Sequence, residues 1–202
     1  TRPSTHLIET PERATLRQQI ADELYGQGAA RKERTVDIVL GPPAAGKSHA
    51  LANPLVKEHG ALLIDSDAAK EMLPEFEGGR YAANVHQESD DIAGRVMDRA
   101  MDAGDNLVMP LVGKNADKIG ALGRLLAEEG YTVRLHLVEL PIEKSAERAV
   151  VRFKETGRFV DPDYVLHKIG DSPRATFDRL KGEAWINDYQ RLSNDVARGE
   201  NP

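Results

Sequence analysis

The stretch Gly41-Pro42-Pro43-Ala44-Ala45-Gly46-Lys47-Ser48 fills each fixed position of the P-loop pattern G-x-x-x-x-G-K-[ST]. It directly follows the apolar run Val36-Asp37-Ile38-Val39-Leu40, which is typical of a buried strand. A glycine-rich turn between a strand and a helix directs several backbone N–H groups at one point, where the helix dipole adds positive potential. The sequence therefore predicts a cradle for phosphate groups.

This loop predicts a specific role for two side chains. We expect Lys47 to reach the β- and γ-phosphates of ATP, and the Ser48 hydroxyl to be a ligand of the Mg²⁺ ion that bridges them. The alternative is a chance Gly/Pro-rich turn before a helix, which the strand–loop–helix context disfavours. The remaining loop positions predicted to bind the nucleotide are Gly41, Pro42, Ala44, Ala45 and Gly46.

Length and composition limit the class of protein. A chain of 202 residues favours one domain over residues 1–202, and the absence of cysteine excludes disulfides and thiolate metal sites. No apolar run is long enough to span a bilayer and residues 1–12 lack a signal-peptide core, which together predict a cytoplasmic protein without membrane contact. The net charge of −6 disfavours nucleic acid as a partner. Because the chain begins with Thr1 instead of Met, we expect it to be trimmed or excised from a longer one.

Segments of strand character alternate with segments of helical character. Thr10-Pro11-Glu12 predicts the start of a helix within an N-terminal extension, residues 1–33. Strands are predicted at 36–40, 61–65, 106–111, 133–138 and 184–192. Helices are predicted at 47–57, 83–103, 115–130, 141–155 and 163–168. Breaks are expected at Pro54, within the first of these helices, and at Ser172-Pro173, after the last. This alternation predicts an α/β fold of P-loop kinase type: a parallel sheet of about five strands with helices on both faces. We expect residues 73–82 and 156–162 to be mobile and to border the site.

Two acidic residues follow the second predicted strand. Asp65 and Asp67 lie where open α/β sheets keep their ligands, at the carboxyl end of a strand. A kinase that phosphorylates a hydroxyl group needs a proton acceptor near the γ-phosphate, and Asp67 is our candidate for this base. The alternative is that Asp67 only caps the next helix. We interpret Asp65 as a Mg²⁺ ligand through water or as an anchor beside the substrate.

A group of arginines follows Pro141. Arg148 and Arg152 lie four residues apart and share a helix face, and Arg158 follows in a glycine-containing loop. Guanidinium groups that close from a lid, here near residues 148–163, neutralise the charge of a transferring phosphoryl group. We expect Arg148 and Arg158 to be catalytic and Arg152 to bind the nucleotide. The alternative is a solvated face paired with Glu147 and Glu155.

Other polar and aromatic residues allow weaker predictions. His86 and Glu88, with Ser89 beside them, are candidates to contact the acceptor molecule, although a lone histidine on a helix is more often structural. No metal-type spacing surrounds His136 or His167, and the aromatic residues of the last predicted strand are expected in the core. The residues predicted to be structural are His136, His167, Trp185 and Tyr189.

With these residues assembled, the chain resembles the zeta toxin family of P-loop kinases over nearly its whole length. The resemblance rests on the loop at residues 41–48, on Ile64-Asp65-Ser66-Asp67 followed by Lys70 and Leu73-Pro74, and on Arg148 and Arg158. It implies an ATP- and Mg²⁺-dependent kinase that phosphorylates a sugar hydroxyl of a nucleotide sugar such as UDP-N-acetylglucosamine. It also implies Asp67 as the base and an antitoxin protein as a partner.

One segment departs from the family pattern. Members carry a Glu-Gly-Thr-Gly-Arg-like stretch after the third strand that holds the sugar, whereas this chain has Pro110-Leu111-Val112-Gly113-Lys114. A carboxylate and a hydroxyl at such positions would each contribute about 1 kcal/mol through directional hydrogen bonds to the sugar, so their absence here leaves the identity of the acceptor open. Gly113 and Lys114 stay candidates to contact it. A kinase of another alcohol, a polynucleotide-end kinase and a nucleotide-gated binding module are the alternatives.

Overall fold

The computed structural model describes residues 10–28, 30–79, 85–157, 159–196 and 202, with only the backbone described at 77–79 and 156. Five strands are present in this part of the chain: β1 (Thr35–Leu40), β2 (Leu62–Leu63), β3 (Leu107–Leu111), β4 (Thr132–Glu139) and β5 (Asp188–Ser193). The α-helices are α1 (Pro11–Gly26), α2 (Asn53–His59), α3 (Ser66–Met72), α4 (His86–Ala103), α5 (Ala116–Glu128), α6 (Ile142–Thr156) and α7 (Ser172–Leu180). Short π-helical segments span Ser48–Ala52 and Tyr164–Ile169, and a 3-10 helix spans Pro74–Gly79.

The strands form one parallel sheet in the order β2-β3-β1-β4-β5. Alternate residues of β1 enter two different cores: Ile38 packs with α4 and α5 residues on one face of the sheet, and Val39 packs with α2 on the other. Side chains of a strand point alternately to opposite faces, so a central strand covered on both sides is apolar almost throughout. The predicted α/β fold, a five-stranded parallel sheet between two layers of helices, is confirmed.

The predicted helix starts are confirmed where the residue before the helix has a side chain that favours the N-cap position. Thr10 caps α1, its Oγ1 accepting a hydrogen bond from the Arg13 N–H at 3.2 Å. Asn115 caps α5 in the same way through the Lys118 N–H at 3.0 Å. The predicted break at Pro54 is also observed, because the π-helical segment ends at Ala52 and Pro54 lies in the first turn of α2, where proline is tolerated.

Three predicted elements are present with bounds that differ from the prediction. The second strand spans only Leu62–Leu63, because Asp65 already caps α3. The predicted break lies at residues 170–171, between the π-helical segment that ends at Ile169 and α7, and Ser172-Pro173 follows it as the first turn of α7. β5 begins at Asp188, so Trp185 precedes it and packs partly buried on the core, whereas Tyr189 on this edge strand is 53% exposed and is not a core residue.

The predicted helix at 83–103 is observed from His86 onward, and residues 80–84 lie outside the described ranges. Within the segment that we expect to be mobile, the 3-10 helix Pro74–Gly79 places Phe76 in the core. None of the helices in the described ranges is both long and apolar enough to cross a membrane.

Candidate active site

A cleft of about 1310 Å³ opens at the carboxyl ends of β1, β2 and β3. The P-loop follows β1, the Asp65–Asp67 pair follows β2 and the 110–114 segment follows β3, so the parallel order of the strands gathers all three at one edge. Helix α6 also contributes residues to the lining of the cleft. Of the predicted site residues, the cleft is lined by Ala44, Gly46, Lys47, Ser48, Asp65, Asp67, His86, Gly113, Lys114, Arg148 and Arg152.

The P-loop holds its lysine close to its own backbone. The Lys47 ammonium donates to the carbonyl oxygens of Gly41 at 2.8 Å and Pro42 at 3.0 Å. Burial lowers the pKa of Lys47 to about 8, and the positive charge of Arg152 acts in the same direction. The backbone is left-handed at Ala44, with φ 56°, and at Gly46, with φ 80°, as a tight loop around an anion requires.

The two acidic residues after β2 have different tasks. Asp65 is the cap of α3, its Oδ1 accepting a hydrogen bond from the Asp67 N–H at 2.9 Å. The alternative that Asp67 is the cap is therefore wrong. The Asp67 carboxylate lies in the first turn of α3, where the helix dipole favours negative charge. Its Oδ1 accepts from the Lys70 ammonium at 3.1 Å, and its side chain is 41% exposed in the cleft.

The two arginines of α6 that lie in the described ranges also differ in their contacts. Arg148 donates from Nη2 to the carbonyl oxygens of Asn194 at 3.2 Å and Val196 at 2.9 Å. Arg152, one turn further along α6, acts electrostatically on Lys47. Both are half-buried and line the cleft, so they do not belong to a fully solvated face. Arg158 lies outside the described residues.

Of the three predicted acceptor contacts on α4, only His86 lines the cleft, with its Nε2 at 3.7 Å from Asp90 Oδ2. The prediction for Glu88 is corrected. Its carboxylate is almost fully buried and accepts hydrogen bonds from the Nε atoms of Arg13 at 2.7 Å and Arg17 at 2.8 Å. Glu88 therefore fastens α1 to α4.

Ser89 is buried as well, and its hydroxyl donates to the His86 carbonyl oxygen at 2.7 Å, which closes the first turn of α4. His136 has the structural role that the sequence predicts, because its buried Nε2 lies 2.7 Å from Asp37 Oδ1. His167 is an exposed residue of the π-helical segment after α6.

The unusual segment after β3 adopts a turn that needs its glycine. Gly113 has φ 77°, and a Cβ atom there would approach the Leu40 side chain to 3.1 Å. The next residue, Lys114, extends its ammonium over the ring of Tyr164, 4.8 Å from the centroid, and lies 3.4 Å from the Tyr164 hydroxyl. This turn therefore presents one cation to the cleft, supported by an aromatic residue beyond α6.

Two further residues contact the P-loop directly, although no sequence pattern identified them as residues of the site. The Ser145 hydroxyl, on α6, donates to the Pro43 carbonyl oxygen at 2.5 Å, and Asn194 Nδ2, just after β5, donates to the Ala45 carbonyl oxygen at 2.6 Å. They lie 102 and 149 residues from their partners along the chain. No local pattern marks contacts at such separations.

The donor set is compatible with Mg²⁺ bound together with a polyphosphate. The Ser48 hydroxyl and the Asp65 carboxylate line the same cleft, and oxygen atoms are the ligands that Mg²⁺ prefers. Across the described ranges, no group of three or more His, Cys, Asp or Glu side chains could hold a metal ion. A Mg²⁺ ion bound together with a polyphosphate takes part of its coordination from the phosphates and from water.

The family model of the zeta toxins matches residues 21–195 of this chain. Among solved structures, the PezAT chromosomal toxin–antitoxin system of Streptococcus pneumoniae contains a chain with a TM-score of 0.70 and 16% identity, covering 93% of this chain and 80% of that one. The AvrRxo1-ORF1:-ORF2 complex with ATP gives a TM-score of 0.69 at 20% identity, with 91% and 64% covered. A candidate kinase from Chloroflexus aurantiacus gives 0.56 at 17% identity, with 83% and 91% covered. A search of curated proteins gave no significant match.

At these identities the solved structures establish a common fold, and this chain spans less than two thirds of the length of the AvrRxo1 chain that it matches. The family assignment rests on the sequence model instead, which extends from within α1 to the segment after β5 and includes the P-loop, the Asp65–Asp67 pair and α6. The resemblance inferred from the motifs is thereby confirmed. This chain belongs to the zeta toxin family.

Proposed function

We propose that this chain is an ATP- and Mg²⁺-dependent kinase that transfers the γ-phosphoryl group of ATP to a hydroxyl group of a small molecule. One observation carries the proposal: a single cleft is lined by the P-loop residues Lys47 and Ser48, by the Asp67 carboxylate and by Arg152. A group that binds phosphate, a proton acceptor and a lid cation are the parts that phosphoryl transfer requires. Family membership supports the same reaction class.

In the proposed reaction, Lys47 and the backbone of the P-loop hold the β- and γ-phosphates. The acceptor oxygen bonds to the γ-phosphorus as the bond from that phosphorus to the ADP oxygen breaks, and the hydroxyl proton passes to the Asp67 carboxylate. Arg152, and Arg158 by the family resemblance, balance the charge on the transferring group. In this structure Arg148 donates to the carbonyl oxygens of residues 194 and 196, so we assign it to holding that segment beside the loop.

Ser48 would hold Mg²⁺ directly, and Asp65 would do so through water. The ion would neutralise charge between the β- and γ-phosphates of the bound ATP. Asp65 is fixed for this task by its hydrogen bond to the Asp67 N–H, which also sets the first turn of α3.

The acceptor that the family resemblance suggests is a nucleotide sugar such as UDP-N-acetylglucosamine. Its contacts in this chain would come from the rim of the cleft, where Asp65, His86, Gly113 and Lys114 are available. The 110–114 segment supplies a lysine and no carboxylate or hydroxyl. A different alcohol that already carries a phosphate group is therefore an equal candidate for the acceptor. The toxin–antitoxin system named for the Streptococcus pneumoniae relative supports an antitoxin protein as the partner of this chain.

A nucleotide-gated binding module is the second candidate, since a P-loop alone does not define a kinase. The two differ in what they make from ATP. A kinase forms ADP and a phosphorylated acceptor in equal amounts, whereas a switch forms ADP and inorganic phosphate without any acceptor. The Asp67 carboxylate in the cleft favours the kinase, because hydrolysis in a switch needs no base for an alcohol.

The direct test is the substitution Asp67→Asn, which keeps the size of the side chain and removes its capacity to accept a proton. We expect turnover to fall by about 100-fold or more, with ADP affinity close to that of the unaltered protein. Transfer is measured with UDP-N-acetylglucosamine first and with a fractionated metabolite extract second. The matched control is Asp117→Asn, an exposed carboxylate in the first turn of α5 that pairs with Arg179 outside the lining of the cleft and should retain turnover. Undiminished transfer in the Asp67 variant would contradict the assignment of the base.

A further inference from the structure

Asn194 is a buried polar residue that joins three parts of the active site. It lies directly after β5 and is 8% exposed. Its backbone N–H donates to the Glu139 carbonyl oxygen at 2.9 Å, which fixes the residue at the end of β4. Its side-chain Nδ2 donates to the Ala45 carbonyl oxygen at 2.6 Å, and its own carbonyl oxygen accepts from Arg148 at 3.2 Å. One residue thus links the sheet, the P-loop and α6.

The bond to Ala45 determines how one peptide unit of the P-loop is oriented. In a trans peptide the C=O of one residue and the N–H of the next point in opposite directions. The described chain has no cis peptide bond, so holding the Ala45 carbonyl toward Asn194 directs the Gly46 N–H away from it. Backbone N–H groups of this loop are the donors that a P-loop offers to phosphate.

The other side of the same peptide is also adapted to Asn194. A Cβ atom built on Gly46 would overlap Asn194 Nδ2, and the φ of 80° at Gly46 disfavours a side chain there as well. Gly46 therefore leaves the space that the asparagine amide fills. The packing around Gly46 therefore holds the Asn194 amide at a fixed distance from the Ala45 carbonyl oxygen.

We propose that Asn194 is a positioning residue of the phosphate cradle: it sets the orientation of the Ala45–Gly46 peptide and thereby presents the Gly46 N–H to the phosphates of a nucleotide. The inference rests on the proposed function, because it takes the ligand of the P-loop to be a nucleotide. Asn194 acts through the loop and not through the nucleoside, which separates this role from recognition of a base.

The contact with α6 extends this role to the lid. Arg148 donates to the carbonyl oxygens of both Asn194 and Val196, and Lys144 forms an ion pair with Asp195. The segment 194–196 is therefore held by α6 on one side and bound to the P-loop on the other. A change in the loop that displaced Asn194 would be transmitted to the helix that carries Arg152.

The test is Asn194→Ala, with Asn187→Ala as the matched control. The two asparagines flank β5, and the Asn187 side chain likewise bonds a backbone group, accepting from the Val133 N–H at 2.8 Å at the end of the strand away from the P-loop. Binding of Mg²⁺–ADP and of Mg²⁺–tripolyphosphate is measured by calorimetry. We expect Asn194→Ala to weaken both by about tenfold, the effect of removing one hydrogen bond, and Asn187→Ala to weaken neither.

Several outcomes would overturn the inference. Unchanged affinity in Asn194→Ala, or an equal loss in Asn187→Ala, would show that the asparagine does not position the loop. A loss for ADP without a loss for tripolyphosphate would place its contact on the nucleoside. If Asn194→Ala does not fold, the nearly isosteric Asn194→Asp replaces it, because its carboxylate cannot donate to the Ala45 oxygen. Failure of the unaltered protein to bind ADP would contradict the proposed function itself.

Discussion

At the scale of single residues, the most demanding environment described outside the cleft is that of Asp37, a fully buried carboxylate on the central strand β1. Arg134 donates to it from Nε at 2.8 Å and from Nη2 at 2.9 Å. The rings of His136 and His59 each lie 2.7 Å from one of its oxygens. Burial alone would raise the pKa of Asp37, but these hydrogen bonds outweigh it and lower the pKa to about 2. The cluster connects the end of α2, which follows the P-loop, to β1 and β4.

Asp37→Asn should destabilise the fold without altering the chemistry of the cleft. Removing one partner of a buried ion pair typically costs about 3–5 kcal/mol, since Arg134 loses its counter-charge and His136 loses the carboxylate oxygen that its ring contacts. We expect a loss of about 3 kcal/mol in the free energy of unfolding, measured with urea at neutral pH. The control Asp178→Asn breaks an exposed pair with Lys181 and should cost at most about 1 kcal/mol. Equal losses in the two variants would contradict the role of the cluster.

The same carboxylate predicts a pH dependence. Its pKa is lower in the folded protein than in the unfolded chain, so its stabilising contribution is complete above the ordinary aspartate range and is lost as the pH falls through about 2. The unaltered protein should therefore lose stability between about pH 4 and pH 2, by an amount that Asp37→Asn does not show. Urea titrations of both proteins at a series of pH values measure the difference. Parallel curves would contradict the assignment.

At the scale of elements, α1 is attached to the domain by a buried ion-pair network. Glu88 on α4 accepts from Arg17, which is 1% exposed, and from Arg13, which also pairs with Glu75 in the 3-10 helix after α3. A buried guanidinium without a partner has a large desolvation cost, so the stability of the fold depends on the ion pair between Arg17 and Glu88. The helix preceding the P-loop is therefore fixed to α4 and to the 3-10 helix, both of which contribute residues to the lining of the cleft.

Glu88→Gln should lower the free energy of unfolding by about 3 kcal/mol and leave ADP affinity unchanged. The matched control is Asp91→Asn on the same helix, which breaks a more exposed pair with Arg95 and should cost less than about 1 kcal/mol. Urea denaturation and calorimetry measure the two quantities. A large loss of ADP affinity in Glu88→Gln, with little change in stability, would contradict this structural role and place Glu88 in the nucleotide site.

Elements with strong local signals could be predicted from the sequence, and the others could not. β1 and the P-loop follow from an apolar run and a motif that requires that context, and α1 and α5 follow from Thr10 and Asn115, which cap their first turns. The start of α7 is not predicted, because Pro173 ends a helix in one setting and begins one in another. The predicted start of β5 is too early, because an edge strand lacks the continuous apolar run of a central one.

At the scale of the whole molecule, the site is assembled from segments far apart in the chain, since parallel strands bring their carboxyl ends together. This is why Lys47, Asp67 and the arginines of α6 could be predicted to meet at one site from their motifs and the order of the elements. The same topology explains what could not be predicted. Asn194 contacts the P-loop only because β5 ends beside β4, and Glu88 leaves the cleft only because α1 covers α4.

The central claim is that the cleft transfers phosphate to an alcohol instead of only binding or hydrolysing ATP. In the most direct measurement, the protein is incubated with Mg²⁺, γ-phosphate-labelled ATP and a metabolite extract. The labelled products are then identified by mass spectrometry. We expect one labelled phosphomonoester formed in proportion to ADP, and no such product with Lys47→Ala. ADP and labelled inorganic phosphate formed at the same rate with and without the extract would contradict it.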